Sequence, residues 1–402
     1  MRVAVVSSSY PTAAEPVASL FLQDWVTALT SRGHEVTVVA PCDRHARDTL
    51  QQTGRLTVSL FQYAPPRSQT LAYGAGMFDN VRRNPFRLWQ LPRFLRTQYH
   101  HAFGHAQRAD VLHAHWLFPA GLVGAFIKRR TGVPLIVSIH STDFHLLRSV
   151  PGGRGIARAI AREADRLHFV TEYHRSRFFE WLGERDAAHV SSYVVPMGVH
   201  DSLTEAPAHG FGAEPRIGFI GRLVPIKGVD RLLQACAQLG RIAGLRVAGT
   251  GPARDSLVRL ARSLRVDAQF IGSVRGPAKI RFLDSCDVLV FPSRHYASGR
   301  SEGLPVTLLE ALARGRVVIA SDSGGIPEVI RHEQNGYLFA AQSTRELRSV
   351  LGRVLGSWDS ATRVGFAASR TGRCFTASSL AQCHEDEYRM VLGNSAQRMI
   401  PA

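Results

Sequence analysis

RIGFIGRLVPIKG, residues 216–228, is a short apolar run that ends in a glycine turn and leads into a helical pattern near Val229. It restarts an alternation of strands and helices that the first half of the chain has already completed. Strands are predicted at residues 2–6, 35–39, 135–139 and 167–170, and again at 216–221, 245–249, 269–272, 287–292 and 316–321. Two consecutive sets of this kind predict an α/β fold with two doubly wound domains.

A polar segment separates the two sets of strands. The turn VVPMGV (194–199) is followed by HDSLTEAPAHGFGAEP (200–215), which is rich in glycine, proline and polar residues. We predict domains at residues 1–205 and 206–380, with a C-terminal segment, 381–402, as a candidate to pack back on the first domain. Because ligands of open α/β sheets bind beyond the carboxyl ends of the strands, we expect the two domains to face a central cleft.

The charge balance favours anionic partners. The chain has 49 basic and 32 acidic residues, a net charge of +17. Such a field attracts nucleic acid, an anionic membrane face or a phosphate-bearing small molecule. Almost all of the positive charge is arginine, which suits phosphate contacts but would also follow from a compositional bias.

Cysteine usage and hydropathy bear on the compartment. The five cysteines are scattered without the spacing of a metal site, which favours a reducing compartment. The first residues lack the apolar run of a signal peptide, and no segment reaches the roughly 18 apolar residues of a spanning helix. We expect a cytoplasmic protein, or one that is peripheral at the inner face of a membrane.

Two glycine turns follow strands of the second set. In GRLVPIKG, Gly221 precedes Arg222 and Lys227, and this cation pair beside a helix start is a candidate diphosphate site, although both charges could also be solvated. In GTGP (249–252), Gly251 allows the backbone to approach a ligand, or simply makes a turn. Since position 254 is arginine, a dinucleotide G-x-G-x-x-G motif is absent and an NAD site is disfavoured.

SEGLPVTLLEAL (301–312) contains two glutamates on either side of a helix start. Pro305 is expected to be the first helical residue, which leaves Glu302 in the preceding loop and Glu310 within the helix. The N–H groups of Val306 and Thr307 would offer an anion site between the two carboxylates. Each glutamate alone is more often a solvated side chain, but together with the nearby cations they favour a binding site for a sugar, a diphosphate and a ribose.

Taken in order, these motifs resemble the retaining glycosyltransferases of family 4, the glycosyl transferases group 1, which have the GT-B fold. The second half carries the resemblance in GRLVPIKG, GTGP, DVLVFPS, SEGLPVTLLEALARG, SDSGGIPEVI and NGYLF. The first half carries it in RVAVVSSSYP, SRGHEVTVVAP, LHAHWLFPAG and VSIHSTDF, and VVPMGV is similar to the linker motif. The resemblance covers nearly the whole chain and implies two Rossmann-like domains.

The resemblance also implies roles for individual residues. Arg222 and Lys227 would bind the donor diphosphate and stabilise the charge on the departing nucleotide. Glu302 would contact the hydroxyls of the transferred sugar, and Glu310 those of the ribose. The wider donor-binding set comprises Gly221, Gly251, Gly303, Leu304, Val306 and Thr307. Retention is thought to occur by front-face attack, in which the leaving phosphate helps to take the acceptor proton and no protein nucleophile is required.

Histidines of the first half form a second group. His140 in IHSTD matches a family position near the donor sugar and joins the catalytic set, with Asp143 close behind on the acceptor side. His113 and His115 in HAHW could be metal ligands, but we expect their side chains on opposite faces of a strand end, which disfavours a shared metal. The chain lacks an Asp-x-Asp motif, so the resemblance implies metal-independent chemistry without a cofactor.

The chain departs from the family pattern in three places. Met197 and His200 replace the usual polar pair of the linker motif. The family often has glycine where this chain has Pro305, and proline removes an N–H that could serve a phosphate. The loop after SSSYP usually carries a glycine near the donor, whereas Ala18 and Ser19 stand there in this chain.

Segment 81–101, VRRNPFRLWQLPRFLRTQYHH, combines five arginines with aromatic and leucine side chains. Such a stretch can lie at an anionic membrane surface, where related enzymes meet lipid-linked acceptors, although an ordinary domain helix could look similar.

The whole pattern predicts a retaining glycosyltransferase that moves a sugar from a nucleotide diphosphate sugar, with UDP as the expected nucleotide, to a hydroxyl acceptor that includes lipid-linked ones. The family setting is bacterial surface polysaccharide or glycolipid assembly. One alternative is a sugar-nucleotide epimerase of similar architecture. Another is a basic nucleic-acid-binding protein, for which the sequence offers charge but no motif, so nucleic acid is not expected as a partner.

Overall fold

The computed structural model describes residues 1–16, 18–44, 46–74, 76–205, 214–240, 244–296 and 301–398. The strands are β1 (Arg2–Val6), β2 (Glu35–Pro41), β3 (Thr49–Thr53), β4 (Leu56–Phe61), β5 (Val111–His115), β6 (Leu135–Ile139), β7 (Arg166–Phe169), β8 (Ser192–Val194), β9 (Ile217–Ile220), β10 (Leu245–Ala248), β11 (Ala268–Gly272), β12 (Val288–Phe291), β13 (Val317–Ser321) and β14 (Tyr337–Phe339). Residues 206–213 of the predicted linker, which begin at its boundary at 205/206, and residues 399–402 of the predicted C-terminal segment lie outside the described residues.

The α-helices alternate with these strands. They are α1 (Leu20–Ser31), α2 (Met77–Arg83), α3 (Leu91–Ala106), α4 (Leu122–Thr131), α5 (Thr142–Ser149), α6 (Gly153–Glu163), α7 (Glu172–Leu182), α8 (Glu184–Ala187), α9 (Ser202–Glu205), α10 (Val229–Leu239), α11 (Arg254–Ser263), α12 (Gly276–Asp284), α13 (Val306–Ala313), α14 (Ile326–Val329), α15 (Thr344–Gly356), α16 (Trp358–Arg373) and α17 (Ala377–Arg398). Short 3₁₀ helices span Pro85–Gln90 and Pro225–Lys227, and a π turn spans Leu117–Gly121. Within the described ranges no helix has the length and apolar character to cross a bilayer.

The chain divides into two compact units. The first is Met1–Met197 joined by the last helix, α17, and the second is Gly198–Thr376. The first unit is therefore built from two separate parts of the sequence, whereas the second is contiguous.

The sheet of the first unit has eight strands in the order β3-β4-β2-β1-β5-β6-β7-β8. All neighbours run parallel except β3 and β4. Strand β1 lies between β2 and β5, so the direction in which successive strands are added reverses between β1 and β5. Loops that follow β1 and β5 are therefore expected to frame a ligand site.

The sheet of the second unit has six strands in the order β11-β10-β9-β12-β13-β14, and its recorded pairs are all parallel. This is the Rossmann order, with the reversal between β9 and β12. Strands β12 (VLVF) and β13 (VVIAS) are buried along their whole length, because helices cover both faces of a parallel sheet. The α/β fold with two doubly wound Rossmann-like units is confirmed.

Candidate active site

The loops that follow β9 and β12 meet at the strand reversal of the second unit. A Cβ added to Gly228 would lie 1.9 Å from the carbonyl oxygen of Pro292, and Gly228 has a φ of +68°. The two loops thus approach each other at the level of the backbone, which only glycine permits. GRLVPIKG and the residues after DVLVFPS are brought together in this way, as the topology of the sheet requires.

Lys227 and Glu302 form an ion pair across these two loops. The Nζ atom of Lys227 lies 2.7 Å from Oε1 of Glu302, and each side chain is 18% exposed. The Ser293 hydroxyl donates to Oε2 of the same carboxylate over 3.4 Å. A half-buried pair of this kind keeps its cation and its carboxylate within reach of a ligand, where either could exchange its partner for a phosphate or a hydroxyl.

The backbone around Glu302 is closely packed. A Cβ on Gly324 would lie 1.7 Å from the Glu302 carbonyl oxygen, and the Gly325 N–H donates to the Gly303 carbonyl over 2.8 Å. The GG of SDSGGIPEVI therefore supports the loop that carries Glu302, which gives that motif a structural role.

Helix α13 begins beside the ion pair. Pro305 is the residue before the helix, with extended backbone angles, and the first helical residue is Val306, one position later than expected. The Thr307 hydroxyl donates to the Ile220 carbonyl at the end of β9 over 3.3 Å. Because Pro305 lies outside the helix, its missing N–H removes no donor from the first helical turn. The N–H groups of Val306 and Thr307 remain at the open helix start.

Glu310 is buried and pairs with a lysine that sequence reasoning missed. Its Oε1 lies 2.5 Å from Nζ of Lys279 on α12. The two residues are 31 positions apart, so the pair depends on the packing of α12 near α13. A signal was nevertheless present: the chain has only three lysines, Lys128, Lys227 and Lys279, among 49 basic residues.

The other predicted donor-site residues of this unit have varied surroundings. Arg222 is exposed and forms no ion pair with any of the residues that the structure describes. Leu304 and Val306 are partly buried against an apolar cluster that includes Leu308. A Cβ on Gly251 would lie 2.4 Å from the Leu223 carbonyl oxygen, so this turn packs directly on the GRLVPIKG loop.

In the first unit, Asp143 holds two loops. Its Oδ1 accepts from the His140 backbone N–H over 3.0 Å, and its Oδ2 accepts from the Leu117 N–H over 2.5 Å. Burial raises the pKa of Asp143 to about 6, although these backbone donors oppose the shift. Both carboxylate oxygens accept from backbone N–H groups, so the role of Asp143 in this structure is to fix the backbone at His140.

The His140 ring lies among aromatic side chains. Its centroid is 5.0 Å from that of Trp116, 5.3 Å from Phe21 and 5.3 Å from His115. The residue as a whole is only partly buried, yet burial of the ring, with a contribution from His168, lowers the pKa of His140 to about 3. His140 is therefore neutral at physiological pH.

Three residues near this ring have a left-handed φ without being glycine. They are Ser19 (+54°), Trp116 (+77°) and Ser141 (+58°). Such strain persists only where the surroundings impose it, and it concentrates at functional sites. Ser19, whose hydroxyl lies 2.7 Å from that of Ser9, has the conformation that glycine would favour in the family's loop.

The expectation that His113 and His115 face opposite sides of their strand was wrong. Side chains alternate from one residue to the next, so positions two apart share a face. The two rings stack with centroids 4.5 Å apart. Even so, no group of three or more His, Cys, Asp or Glu among the described residues could hold a metal ion.

His113 belongs to a buried chain of hydrogen bonds whose direction can be assigned. The chain ends at the Val195 carbonyl, which only accepts, so His168 donates from Nε2 over 2.7 Å. Nδ1 of neutral His168 then accepts from the Ser138 hydroxyl over 2.6 Å, and Ser138 accepts from Nε2 of His113 over 2.7 Å. Finally, Nδ1 of His113 accepts from the Tyr388 hydroxyl of α17 over 2.7 Å.

Comparisons with known proteins agree with this architecture. The model of the family described as "Glycosyl transferases group 1" matches residues 214–357, and that of the "Glycosyl transferase 4-like domain" matches residues 18–193. The structure is similar to that of the Anabaena protein HepE in complex with UDP, with a TM-score of 0.73 and 18% identity over 97% of this chain and 100% of the other.

Several curated relatives reach 30% identity, and two of them are matched over more than 60% of this chain. One is the GDP-mannose-dependent alpha-(1-6)-phosphatidylinositol monomannoside mannosyltransferase of Mycolicibacterium smegmatis, matched over 62% of this chain and 68% of the relative. The other is the D-inositol 3-phosphate glycosyltransferase of Kineococcus radiotolerans, matched over 76% of this chain and 78% of the relative. With two further relatives, from Methanocaldococcus jannaschii and Mycobacterium tuberculosis, the chain spans only 63% and 60% of their lengths. The chain belongs to the family 4 glycosyltransferases, the glycosyl transferases group 1, which have the GT-B fold.

Proposed function

We propose that this protein transfers a sugar, with retention of anomeric configuration, from a nucleoside diphosphate sugar to a hydroxyl acceptor. The observation that carries the proposal is the Lys227–Glu302 ion pair at the start of α13. A cation and a helix N-terminus together suit a diphosphate, and a carboxylate beside them suits sugar hydroxyls.

Donor binding would exchange the partners of this ion pair. The diphosphate draws the Lys227 ammonium and the exposed Arg222 guanidinium, and the Glu302 carboxylate becomes free to accept from sugar hydroxyls. Buried Glu310, held by Lys279, accepts from the ribose hydroxyls. The site thus presents charges of both signs in the order in which the donor carries its groups.

The chemical step needs no covalent intermediate on the protein. The acceptor oxygen forms a bond to the anomeric carbon on the face from which the nucleoside diphosphate departs, and the bond from that carbon to the phosphate oxygen breaks. The acceptor proton goes to the leaving phosphate oxygen. Lys227 and Arg222 stabilise the negative charge that grows there, a contribution worth about 10²- to 10³-fold in kcat for one donor group.

The three lysines make a direct binding test possible. Acylation of the amines, read by mass spectrometry, reports the accessibility of each lysine separately, and Lys128, which pairs with Asp165 at 2.6 Å, is an internal control. We expect a bound nucleotide to slow acylation of Lys227 without affecting Lys128. Equal labelling of Lys227 at saturating concentrations of every nucleotide tested would contradict the proposed site.

UDP remains the expected nucleotide, and the mycobacterial relatives named for GDP-mannose make GDP the main alternative. A thermal-shift screen of UDP, GDP and ADP sugars identifies the base, because a ligand that binds only the folded protein raises the melting temperature. Incubation of that donor without acceptor separates the classes of enzyme: an epimerised sugar nucleotide would indicate the epimerase instead.

We further propose that the acceptor is carried by a lipid and that the protein contacts an anionic membrane, at the inner face, through residues 81–101. The 3₁₀ helix Pro85–Gln90 leaves Phe86 78% and Trp89 83% exposed. No acidic residue occurs between Asp79 and Asp110. Exposed aromatic rings within a purely basic segment suit an interface with anionic lipids.

Two cavities on α3 support this contact. One, of about 450 Å³, has walls from Leu95, Tyr99, Leu122 and Phe126 with Arg96 and Arg130 beside them. The other, of about 550 Å³, is lined by Arg93, Arg96, His100 and His101. Arg96 is shared, so an apolar cavity lies next to a cationic one.

Vesicle sedimentation tests the membrane contact. Vesicles that contain phosphatidylglycerol should bind the protein, and phosphatidylcholine vesicles should not. The double variant Phe86→Ser, Trp89→Ser should lose most of the binding, whereas Phe366→Ser, which alters a 53% exposed ring in the second unit, should retain it. Unchanged binding of the double variant would overturn this part of the proposal.

A further inference from the structure

His140 is held by a second histidine through a short contact between ring nitrogens. Nδ1 of His115 lies 3.1 Å from Nε2 of His140. Burial lowers the pKa of both rings far below neutrality, so each carries a single proton. One nitrogen of this contact must donate and the other must accept, which leaves two possible arrangements.

The other nitrogen of His115 distinguishes the two arrangements. Nε2 of His115 is buried and has no hydrogen-bond partner among the described residues. If His140 donated to His115, the His115 proton would sit on that Nε2 as a buried donor without an acceptor. If His115 donates, its proton lies on Nδ1. Nε2 of His115 then carries a lone pair and can only accept.

Trp25 favours the second arrangement. Its ring centroid is 4.8 Å from that of His115, and its Nε1 is also buried without a partner among the residues described. An indole N–H can only donate, so a proton on Nε2 of His115 would place a second buried donor without an acceptor beside it, whereas a lone pair there does not. His115 therefore carries its proton on Nδ1 and donates it to His140.

We propose that His115 is a positioning residue that fixes His140 in the tautomer with its proton on Nδ1. Nε2 of His140 is then occupied as an acceptor, and Nδ1 has no hydrogen-bond partner within the described part of the chain. This inference rests on the proposed function: His140 presents an N–H to a sugar hydroxyl or phosphate oxygen and cannot take the acceptor's proton through Nδ1. The departing phosphate therefore takes the proton of the acceptor hydroxyl.

Nitrogen NMR of the full chain, labelled with ¹⁵N-histidine, tests the tautomer without any assay of activity. Two-bond ¹H–¹⁵N spectra distinguish protonated from unprotonated ring nitrogens, and the spectrum of His140→Gln identifies the signals of His140. We expect a protonated Nδ1 and an unprotonated Nε2 at neutral pH. The reverse pattern would overturn the proposal, even if the protein proves to be a transferase.

Two variants of His115 extend the test to function. Asparagine keeps an N–H near the position of Nδ1, so His115→Asn should retain the His140 tautomer and most of kcat. Aspartate only accepts, so His115→Asp should move the His140 proton to Nε2 and lower kcat by about tenfold or more, the loss expected for one hydrogen bond to substrate. Equal kcat in the two variants contradicts the role of His115. If His115→Asp does not fold, the wild-type spectrum alone decides.

Discussion

Lysine is rare in this arginine-rich chain, and each of its three lysines pairs with a carboxylate. Lys227 pairs with Glu302, Lys279 with Glu310, and Lys128 with Asp165. The first two carboxylates are the glutamates of SEGLPVTLLEAL. An ammonium on a flexible stem can leave a carboxylate for a phosphate more readily than a guanidinium held by two parallel hydrogen bonds.

Replacement of Lys227 by alanine should lower kcat about 10²- to 10³-fold, because it removes one charge that stabilises the leaving diphosphate. Steady-state kinetics measures the effect. Lys128→Ala is the matched control, since Lys128 is 19% exposed against 18% for Lys227 and also forms an ion pair. Equal losses in the two variants would mean that Lys227 acts only on stability.

Replacement of Lys279 by alanine should weaken donor binding more than it lowers kcat. Glu310 is buried, and without its cation the carboxylate is poorly held for the ribose hydroxyls. A lost hydrogen bond to a charged group corresponds to about tenfold or more in Kd. Calorimetric titration with the nucleoside diphosphate measures this directly, and an unchanged Kd would remove Glu310 and Lys279 from the binding site.

At the scale of elements, α17 is held to the first sheet through its polar side chains as well as its apolar ones. Tyr388 donates to His113, and Tyr193 lies 3.1 Å from Nδ1 of His384. The hydrogen bonds run through Ser138 and His168 to a backbone carbonyl. These hydrogen bonds fix the register of α17 against the sheet, because a shift of the helix would leave buried polar groups without their partners.

Tyr388→Phe should lower the free energy of unfolding by about 1–3 kcal/mol, since Nδ1 of buried His113 loses its only donor among the described residues. Urea denaturation measures the change. Tyr99→Phe provides the control, because no hydrogen bond to the Tyr99 hydroxyl occurs within the described ranges. A loss of the same size in both variants would argue against the directional chain.

The sequence predicted most of the strands of the two sheets but missed β3, β4, β5, β8 and β14. Strands β1, β6, β9, β12 and β13 are apolar runs, and each lies within one or two residues of its predicted range. Strand β3 (TLQQT) is exposed along its whole length at the sheet edge, so no hydrophobic periodicity marks it.

Among site residues, GRLVPIKG and SEGLPVTLLEAL were found by motif, whereas Lys279 and His115 act through contacts that only the packed fold creates.

At the scale of the molecule, buried histidines should make the protein sensitive to acid. Burial lowers the pKa of His168 to about 4 and of His140 and His174 to about 3, and that of His113, His115 and His384 well below neutrality. The unfolded chain takes up these protons below its usual histidine pKa, whereas the folded chain does not. Stability is therefore present above about pH 6.5 and is lost as pH falls toward 4.

For each such histidine, the free energy of unfolding falls by roughly 1 kcal/mol for each pH unit below 6.5. Together they approach the whole free energy of unfolding of a typical domain, roughly 5–15 kcal/mol. Asp143, whose pKa is raised to about 6, and Glu387, whose pKa is also raised by burial, act in the opposite direction, but they are two groups against six histidines. Denaturation at pH 7, 6 and 5 should show a steep decline, and His174→Leu should reduce its slope. A flat profile would contradict the neutral buried rings.

The return of α17 to the first unit also determines the order in which a ribosome can complete this protein. The second unit, Gly198–Thr376, is contiguous and can close while the chain is still growing. The first unit emerges earlier, but its buried histidines wait for Tyr388 and His384, which follow the second unit along the chain. Of the two units, the first is the earlier to emerge but the later to be completed.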